Sequence, residues 1–582
     1  MGRPGNVGSA TVTAGTGTRE LYMRIALLRG FVSGLLLVGA VGAVPAGAQD
    51  ACGPAGGDLA ERVPPPAASD RVFVIDEGPG LEPALDPNCT FRSGGPLVIN
   101  LPVTRYLGPT TASGSLGCRW ELVEKKLVSR YATLTMAAWD VDYYCSASPP
   151  KQCERDRVYF NGERVDRLHS ENNQYLMGVN AQWAANTFKI PIEKVKFPTE
   201  RGANGNTPTP AMNEIRIEID VANTTEEWCT AIDWVALEIQ CMSPIILIHG
   251  NGSDGQFFSR RGFVWWEGAH LHQGRFDYSI NMPSDTRARN AVRLNAAIPL
   301  IVRSFGADSV HLVAHSKGGL DAREYLEVHQ PANQGQFQVL SLTTLSTPHD
   351  GSVLADLVVK RSLVATADAI KFPGFPLWTA KLLEHTLLNP GYRDLQTKQC
   401  ADFNGTNVAA LHSAGGTAYC TVAADADQDG TQSINLVTEY MDMCCESPAL
   451  AGYDVVPYPG KVSVSNLITD RMYQILRNTS AVKFTWEVDP QTAALISRLS
   501  AVTGGPFPND IMVTVPSALG AGGYGTLVAP PYSATYCRFL CAGPARNHAS
   551  VADGVVGAAV VKWLVQIERD SGDLVGLLQW PP

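Results

Sequence analysis

Two short strand-like runs, made mainly of apolar residues, constrain the fold more than any other feature of the sequence. The first is Ile245–Ile248 and the second covers residues 310–314, with a segment of helical periodicity at 288–305 between them. Mainly apolar runs of this length, without polar alternation, are typical of strands buried on both faces, and an intervening helix makes two such strands parallel. A third run at 339–345 continues the pattern. The sequence therefore predicts an α/β fold, a mostly parallel sheet flanked by helices, within residues 242–582.

Residues 49–241 follow a different pattern, in which short strands alternate with turn residues. Asn161-Gly162 lies between two strand-like runs, as in a hairpin turn, and no long amphipathic helix interrupts the segment. The strand-like runs cover residues 134–141, 157–160, 214–221 and 234–239. We expect an antiparallel β-sandwich that forms an accessory module ahead of the parallel sheet.

The first 48 residues are typical of an export signal. Arg24 and Arg29 precede an uncharged stretch rich in Leu, Val, Ala and Gly. Ala46-Gly47-Ala48 has the pattern of small residues that is typical of a signal-peptide cleavage site. The 22 residues before Met23 fit no signal pattern, which favours a translation start at Met23. We expect a secreted protein, extracellular or periplasmic, with residues 1–48 removed.

The net charge and the cysteine content limit the binding partners and the cross-links that the protein is expected to have. The formal net charge is −10, which disfavours nucleic acid, and no second apolar stretch is long enough for stable membrane insertion. All 13 cysteines follow the leader, and an exported chain without recurring C-x-x-C pairs is expected to form disulfides and not metal thiolates. The odd number leaves at least one cysteine unpaired. The oligomeric state is unknown at this level.

The segment 352–500 mixes apolar helical stretches with loops rich in Gly and Pro. We expect one part to complete the sheet and another to form a cap-like insertion. Asp425, Asp427 and Asp429 stand at alternate positions before Gly430, like the start of a calcium loop, but Leu436 occupies the position of the bidentate Glu. An EF-hand is excluded; a structural calcium ion and a solvated acidic turn remain the two interpretations.

The segment Ala314-His315-Ser316-Lys317-Gly318 directly follows the second apolar run and precedes a helical run at 320–328. A nucleophilic serine needs this setting, because a strained strand-to-helix turn projects its hydroxyl above the sheet. Small residues two positions before and after the serine let strand and helix approach each other. Ala314 stands where such motifs usually have Gly. Ser316 is the candidate nucleophile.

This segment resembles the bacterial true lipases of the α/β-hydrolase superfamily. Residues 345–352 are similar to the T-P-H-x-G-S stretch of that family, and residues 248–251 resemble its H-G oxyanion segment. The resemblance is good over 243–352, looser beyond, and does not reach residues 51–240. It implies that the backbone N–H groups of Lys317 and Asn251 bind the oxyanion. The Lys317 side chain is then expected to point to solvent.

In this superfamily the general base follows the nucleophile and the acid along the chain. Among the eleven histidines, only His548 lies near the C-terminus, in a loop before the helical run at 555–567. The others belong to the β-rich half, precede Ser316, or fall in the elbow helix, the T-P-H stretch or the expected cap: His169, His249, His270, His272, His311, His315, His329, His349, His385 and His412. We assign the base to His548.

Asp510 is the candidate acid, because residues 508–513 resemble the family's N-D-G-L-V-P segment, with Ile511 in place of Gly. It would orient the imidazole and stabilise its charged form. Asp425 and Asp429 are rivals, since they follow a strand-like run at 417–423. The aromatic residues after the oxyanion segment, from Phe257 to Trp266, are interpreted equally well as acyl pocket or as core.

These features predict a secreted serine hydrolase that cleaves carboxylic esters through an acyl-serine intermediate. The resemblance favours a lipidic or polymeric ester as substrate, and the mechanism requires no cofactor. An amidase, peptidase or acyltransferase would use the same three side chains. An extracellular binding protein with an inactive hydrolase fold is the alternative from another class.

Overall fold

The computed structural model describes part of the chain, and the expected leader lies outside that part. The described residues are 64–76, 90–107, 123, 127–139, 141, 153–178, 182–222, 228–261, 263, 277–359, 390–413, 417–424, 426, 509–510, 512–519, 536–540, 548 and 550–570. They all belong to one compact unit, Cys52–Pro582.

Strands and helices occur in the following order within the described residues. The strands are β1 Val72–Asp76, β2 Thr90–Phe91, β3 Leu97–Val103, β4 Tyr131–Trp139, β5 Arg157–Phe160, β6 Glu163–Arg164, β7 Trp183–Pro191, β8 Ala211–Glu218, β9 Cys229–Glu238, β10 Ile245–Ile248, β11 Asp277–Ile280, β12 Ser309–His315, β13 Gln338–Leu345, β14 Ala418–Ala423 and β15 Tyr536–Leu540. The helices are α1 Val165–Leu168, α2 Phe257–Arg260, α3 Arg287–Ser304, α4 Lys317–Val328, α5 Gln330–Asn333, α6 Val353–Val359, α7 Gly391–Asp394, α8 Thr397–Ser413, α9 Val515–Ala518 and α10 Gly554–Asp570. Short 3-10 turns cover Arg92–Gly94, Ile192–Lys194, Ala203–Gly205 and Ser550–Ala552.

The N-terminal strands form two antiparallel sheets. One has the order β1-β9-β4-β7, with β2 also on β9, and the other has the order β3-β8-β5-β6. Buried and partly exposed residues alternate along β8, as its sequence predicts. Asn161 and Gly162 both have positive φ, 48° and 82°, which suits the right-handed twist of the strands they join, β5 and β6. The hairpin prediction is confirmed.

The C-terminal strands form one six-stranded parallel sheet in the order β11-β10-β12-β13-β14-β15. The three apolar runs of the sequence become β10, β12 and β13, and helix α3 connects the parallel strands β11 and β12. The α/β expectation is thus met by the described residues. The edge strands β11 and β15 do not follow from the apolar pattern, because each contains charged or polar residues.

Both faces of the parallel sheet are covered, which explains why β10 is apolar at every position. Ile246 and Ile248 pack in a cluster with α3 and α4. Ile245 and Leu247 face a second cluster, which contains α10 and also the buried side chains of both antiparallel sheets. The β-rich half and the parallel sheet therefore share one hydrophobic core. The change of architecture falls between β9 and β10, close to the predicted boundary at residue 241.

A buried polar cluster joins the two ends of the described chain. Glu568, on α10, accepts hydrogen bonds from Arg71 at 2.8 Å and from the backbone N–H of Ser243 at 2.6 Å, and lies 3.1 Å from the His311 ring. Burial alone would raise the pKa of Glu568, but the His311 hydrogen bond and the Arg71 charge outweigh it and lower the pKa to about 2. The carboxylate thus stays charged inside the protein.

The side chain of Lys317 is buried, contrary to the expectation that it points to solvent. Its Nζ lies 2.5 Å from Asp321 Oδ1, one helical turn along α4. Asn290 on α3 donates to the other oxygen of Asp321 at 2.8 Å. The packing of α3 against α4 closes this position to water, so the ammonium group takes a carboxylate partner instead. Burial raises the pKa of Asp321 to about 6 even beside Lys317.

We predict that Glu568→Gln lowers the free energy of unfolding at pH 7 by about 3–5 kcal/mol, because Arg71 loses its nearer buried counter-charge, at 2.8 Å, and keeps the longer contact with Asp70 at 3.7 Å. Since the pKa of Glu568 is lowered on folding, its contribution is present above about pH 4.5 and is lost as the pH falls towards about 2. Urea midpoints at pH 7 and pH 3 should therefore differ more for the native protein than for the variant. Asp402→Asn, which breaks an exposed Lys398–Asp402 pair, is the control and should cost less than about 1 kcal/mol. Equal effects would contradict the assignment.

Lys317→Met should destabilise the protein, because Asp321 would be buried without its cation. The pKa of Asp321 should then rise further, so the folded variant binds a proton and loses stability as the pH increases through that pKa. Thermal melts between pH 5 and pH 8 measure this slope. Lys398→Met, with the same spacing to its partner but at the surface, should show only the slope of the native protein, in which the pKa of Asp321 is already raised to about 6. A profile for Lys317→Met parallel to that of the native protein would contradict the burial of this pair.

Candidate active site

Ser316 occupies the turn between β12 and α4. Its backbone angles are φ 52° and ψ −130°, a conformation that a residue with a side chain rarely adopts and that costs energy. Its N–H donates to the carbonyl oxygen of Leu345 at 2.9 Å, which fixes the turn to the end of the neighbouring strand β13. The hydroxyl is consequently held at the carboxyl edge of the parallel sheet.

Two glycines allow the chain to close around this serine. A Cβ on Gly318 would lie 2.5 Å from the carbonyl oxygen of His249, so α4 can approach the end of β10 only without a side chain there. A Cβ on Gly250 would lie 2.7 Å from Cβ of Ser316. The H-G segment is therefore packed directly against the candidate nucleophile.

The side chain of His548 joins Ser316 to Asp510. Its Nε2 lies 2.8 Å from Oγ of Ser316, and its Nδ1 lies 2.9 Å from Oδ2 of Asp510. A carboxylate only accepts hydrogen bonds, so Nδ1 carries the proton and Nε2 is free to accept the serine proton. A hydroxyl, an imidazole and a carboxylate in this order can transfer a proton away from the hydroxyl.

Asp510 is fully buried and its carboxylate is held by its own loop. Oδ1 accepts the backbone N–H groups of Met512 and Val513 at 3.0 and 2.7 Å. The same loop lies beside the end of β14, because Asn509 accepts a hydrogen bond from the N–H of Ala426 at 2.9 Å. The loop that carries Asp510 thus lies at the carboxyl edge of the sheet, beside the end of β14. The rivals Asp425 and Asp429 lie outside the described residues, as does Asp427.

The ring of His249 orients the peptide that precedes Asn251. Its Nδ1 lies 2.8 Å from the carbonyl oxygen of Gly250, and its Nε2 accepts the N–H of Met282 at 2.8 Å. In a trans peptide the C=O and N–H point in opposite directions, so the Asn251 N–H points away from this ring. Within the described part of the chain, neither this N–H nor that of Lys317 donates to a protein acceptor. Both donors are available to an anion.

The aromatic residues after the H-G segment belong to the core as far as they are described. Phe257, Phe258 and Phe263 are all buried and join the cluster shared with the antiparallel sheets. Phe257 also stacks on the ring of His315, with 4.2 Å between centroids. The sequence reasoning set His315 aside because it precedes the serine. Its position as the last residue of a buried strand was the signal that it faces the site.

Within the described residues, no group of three or more His, Cys, Asp or Glu side chains is arranged to hold a metal ion. The acidic run at 425–429 is outside them, so its interpretation stays open. No helix among the described segments is long and apolar enough to cross a membrane.

Curated relatives are similar over short stretches. A triacylglycerol lipase of Pseudarthrobacter phenanthrenivorans is 31% identical over 120 residues, which cover 20% of this chain and 36% of the relative. Triacylglycerol lipase 2 of Saccharomyces cerevisiae is 53% identical over 51 residues, 9% of this chain and 15% of the relative. The chain thus spans about a third or less of the length of these relatives. No protein-family model matches it.

A solved lipase of Bacillus licheniformis is 20% identical and covers 56% of this chain and 92% of its own, with a TM-score of 0.32. The overlap with this structure is too weak to add to the argument. The chain is thus similar to curated triacylglycerol lipases over these segments, and its parallel sheet and the turn at Ser316 agree with the resemblance found in the sequence.

Proposed function

We propose that the protein is a secreted serine hydrolase that cleaves carboxylic esters through an acyl-serine intermediate. The observation that carries the proposal is the continuous series of hydrogen bonds from Ser316 through His548 to Asp510, at 2.8 and 2.9 Å, on the strand-to-helix turn. Along the chain, Ser316 and His548 are more than two hundred positions apart. Their convergence at one edge of the sheet is difficult to explain by packing alone.

In the proposed reaction, Nε2 of His548 takes the proton of Ser316 as the hydroxyl oxygen attacks the ester carbonyl. The tetrahedral intermediate collapses, the C–O bond to the alcohol breaks, and His548 returns the proton to the departing alkoxide. Water then attacks the acyl-serine with the same base, which releases the acid. Asp510 stabilises the imidazolium that forms in both halves of the reaction.

The backbone N–H groups of Lys317 and Asn251 are the proposed oxyanion donors. Two observations support this assignment: Gly250 packs against Ser316, and both N–H groups are available to an anion. Donors fixed before the reaction starts stabilise the developing charge without reorganisation, an effect of about 3–4 kcal/mol for one donor in a serine protease. The buried ion pair of Lys317 with Asp321 adds to this rigidity, because it holds the first turn of α4.

For the substrate we propose a lipidic or polymeric ester, because curated proteins with similar segments are named triacylglycerol lipases. A fluorophosphonate probe would separate an active serine hydrolase from an inactive binding protein. A panel of p-nitrophenyl esters of increasing acyl length, with matched anilides, would then distinguish lipase, esterase and amidase. Hydrolysis of anilides in preference to esters would overturn the ester assignment.

The remaining parts of the proposal concern the molecule outside the site. We propose that residues 1–48 direct export and are removed, that most cysteines form disulfides, and that the antiparallel sheets form a β-sandwich module. The described thiols of Cys241 and Cys400 are free and buried. We propose that the chain's own residues carry the chemistry without a cofactor, and that Asp425, Asp427 and Asp429 are the candidate ligands of a structural calcium ion.

Ser316→Ala should abolish both fluorophosphonate labelling and ester cleavage, because no other group replaces the attacking oxygen. The melting temperature should change little. Ser304→Ala is a suitable control, since that buried serine bonds only to the carbonyl of Ile301 and should leave the kinetics unchanged. Ester cleavage near the native rate in Ser316→Ala would remove the central claim.

Asp510→Asn tests the acid. The amide keeps the shape but loses the charge, so the imidazolium is unstabilised and the wrong tautomer is favoured. We expect kcat to fall by several powers of ten, on the order of 10⁴ as in the serine protease case, with little change in KM. Asp425→Asn and Asp429→Asn should leave kcat near its native value. A large loss in either of these, with a mild effect at Asp510, would transfer the role of the acid.

A further inference from the structure

His315 is the last residue of β12 and the immediate neighbour of Ser316, yet the proposed reaction does not use it. Its side chain is buried, and its Nε2 lies 2.6 Å from the backbone carbonyl oxygen of His548. The two imidazole rings are 4.8 Å apart between centroids. On its other side the ring of His315 stacks on Phe257 at 25°. The histidine is thus fixed between the core and the loop that carries the base.

The contact with His548 defines the protonation state of His315. A carbonyl oxygen only accepts, so Nε2 of His315 must carry a proton and donate it. The opposite nitrogen, Nδ1, is buried without a hydrogen-bond partner, and it faces Gly250. Burial, and next the nearby His548, hold the pKa of His315 well below its usual range. The ring therefore remains neutral while His548 becomes charged.

The backbone of His548 is held on both sides of its Cα atom. Its N–H donates to the carbonyl oxygen of Asp510 at 2.8 Å, and its C=O accepts from His315. The first bond ties the base to the acid loop, and the second ties it to the strand that carries the nucleophile. A side chain can keep one orientation only if the backbone beneath it is fixed. The position of Nε2 relative to Oγ of Ser316 thus depends on both bonds.

We infer that His315 is a positioning residue, which sets the distance and angle between His548 and Ser316 by donating a hydrogen bond to the main chain of the base. The inference rests on the proposed function of Ser316 and His548. His315 has no direct part in proton transfer. Its effect is geometric, because a displacement of about 1 Å between reacting groups can lower a rate by about 100-fold.

Two substitutions separate the hydrogen bond from the ring. His315→Phe keeps a ring for stacking on Phe257 but has no donor, whereas His315→Gln keeps an N–H donor at similar reach but has no ring. We expect kcat on a short p-nitrophenyl ester to fall by about 10- to 100-fold in the Phe variant, with KM little changed. The Gln variant should recover most of the loss. The rate of fluorophosphonate labelling of Ser316 should follow the same order.

Two further variants keep the test decisive. If the Phe variant does not fold, His315→Met replaces it, because Met matches Gln in length and lacks the donor. His311→Phe is the control for general disturbance of β12, since His311 is buried on the same strand but bonds to Ser341 and Glu568. It should lower the melting temperature and leave kcat unchanged.

The outcomes are separable from failure of the proposed function. If the Phe and Gln variants lose activity equally, or if Phe retains native kcat, His315 serves packing only and the inference is overturned. Failure of the proposed function would appear instead as ester cleavage in Ser316→Ala. Recovery by Gln above Phe and Met, with unchanged KM, supports positioning through the donated hydrogen bond.

Discussion

The burial of the parallel sheet on both faces is the constraint on which the rest of the structure depends. Ile246 and Ile248 require cover from α3 and α4, and Ile245 and Leu247 require cover from the opposite side. In this chain the second cover includes α10 and the inner residues of the antiparallel sheets. The β-rich half therefore supplies part of the hydrophobic core, and it packs against the parallel sheet that carries the site.

The candidate site is assembled at the carboxyl edge of that sheet, where parallel strands end together. Ser316 follows β12, the acid loop lies beside the end of β14, and His548 lies shortly before α10. Each side chain is fixed by a different element, and hydrogen bonds to main-chain atoms connect those elements. The strain at Ser316 persists because strand, helix and the neighbouring β13 all determine its turn.

Sequence reasoning was most successful where local pattern and burial agree. The strands β10, β12 and β13, the hairpin at Asn161-Gly162 and the helix after Ser316 all follow from apolar runs or turn residues. Strand β11 was missed because Asp277 and Ser279 interrupt its apolar pattern. Lys317 was misjudged because burial of a charge depends on a partner from the tertiary structure. The convergence of Ser316, Asp510 and His548 was anticipated through family resemblance, whereas the contact of His315 with the base was not, since no local pattern encodes it.

The buried ion pair between Arg71 and Glu568 bears on the order in which the contacts of the molecule can form during synthesis. Asp510, His548 and Glu568 all follow Ser316 along the chain. A nascent chain that ends between Ser316 and Asp510 has the candidate nucleophile but lacks the candidate acid, the candidate base and helix α10. The hydrogen bonds between Ser316, His548 and Asp510 can therefore form only after residue 548 has been made, and the ion pair of Arg71 with Glu568 only after residue 568.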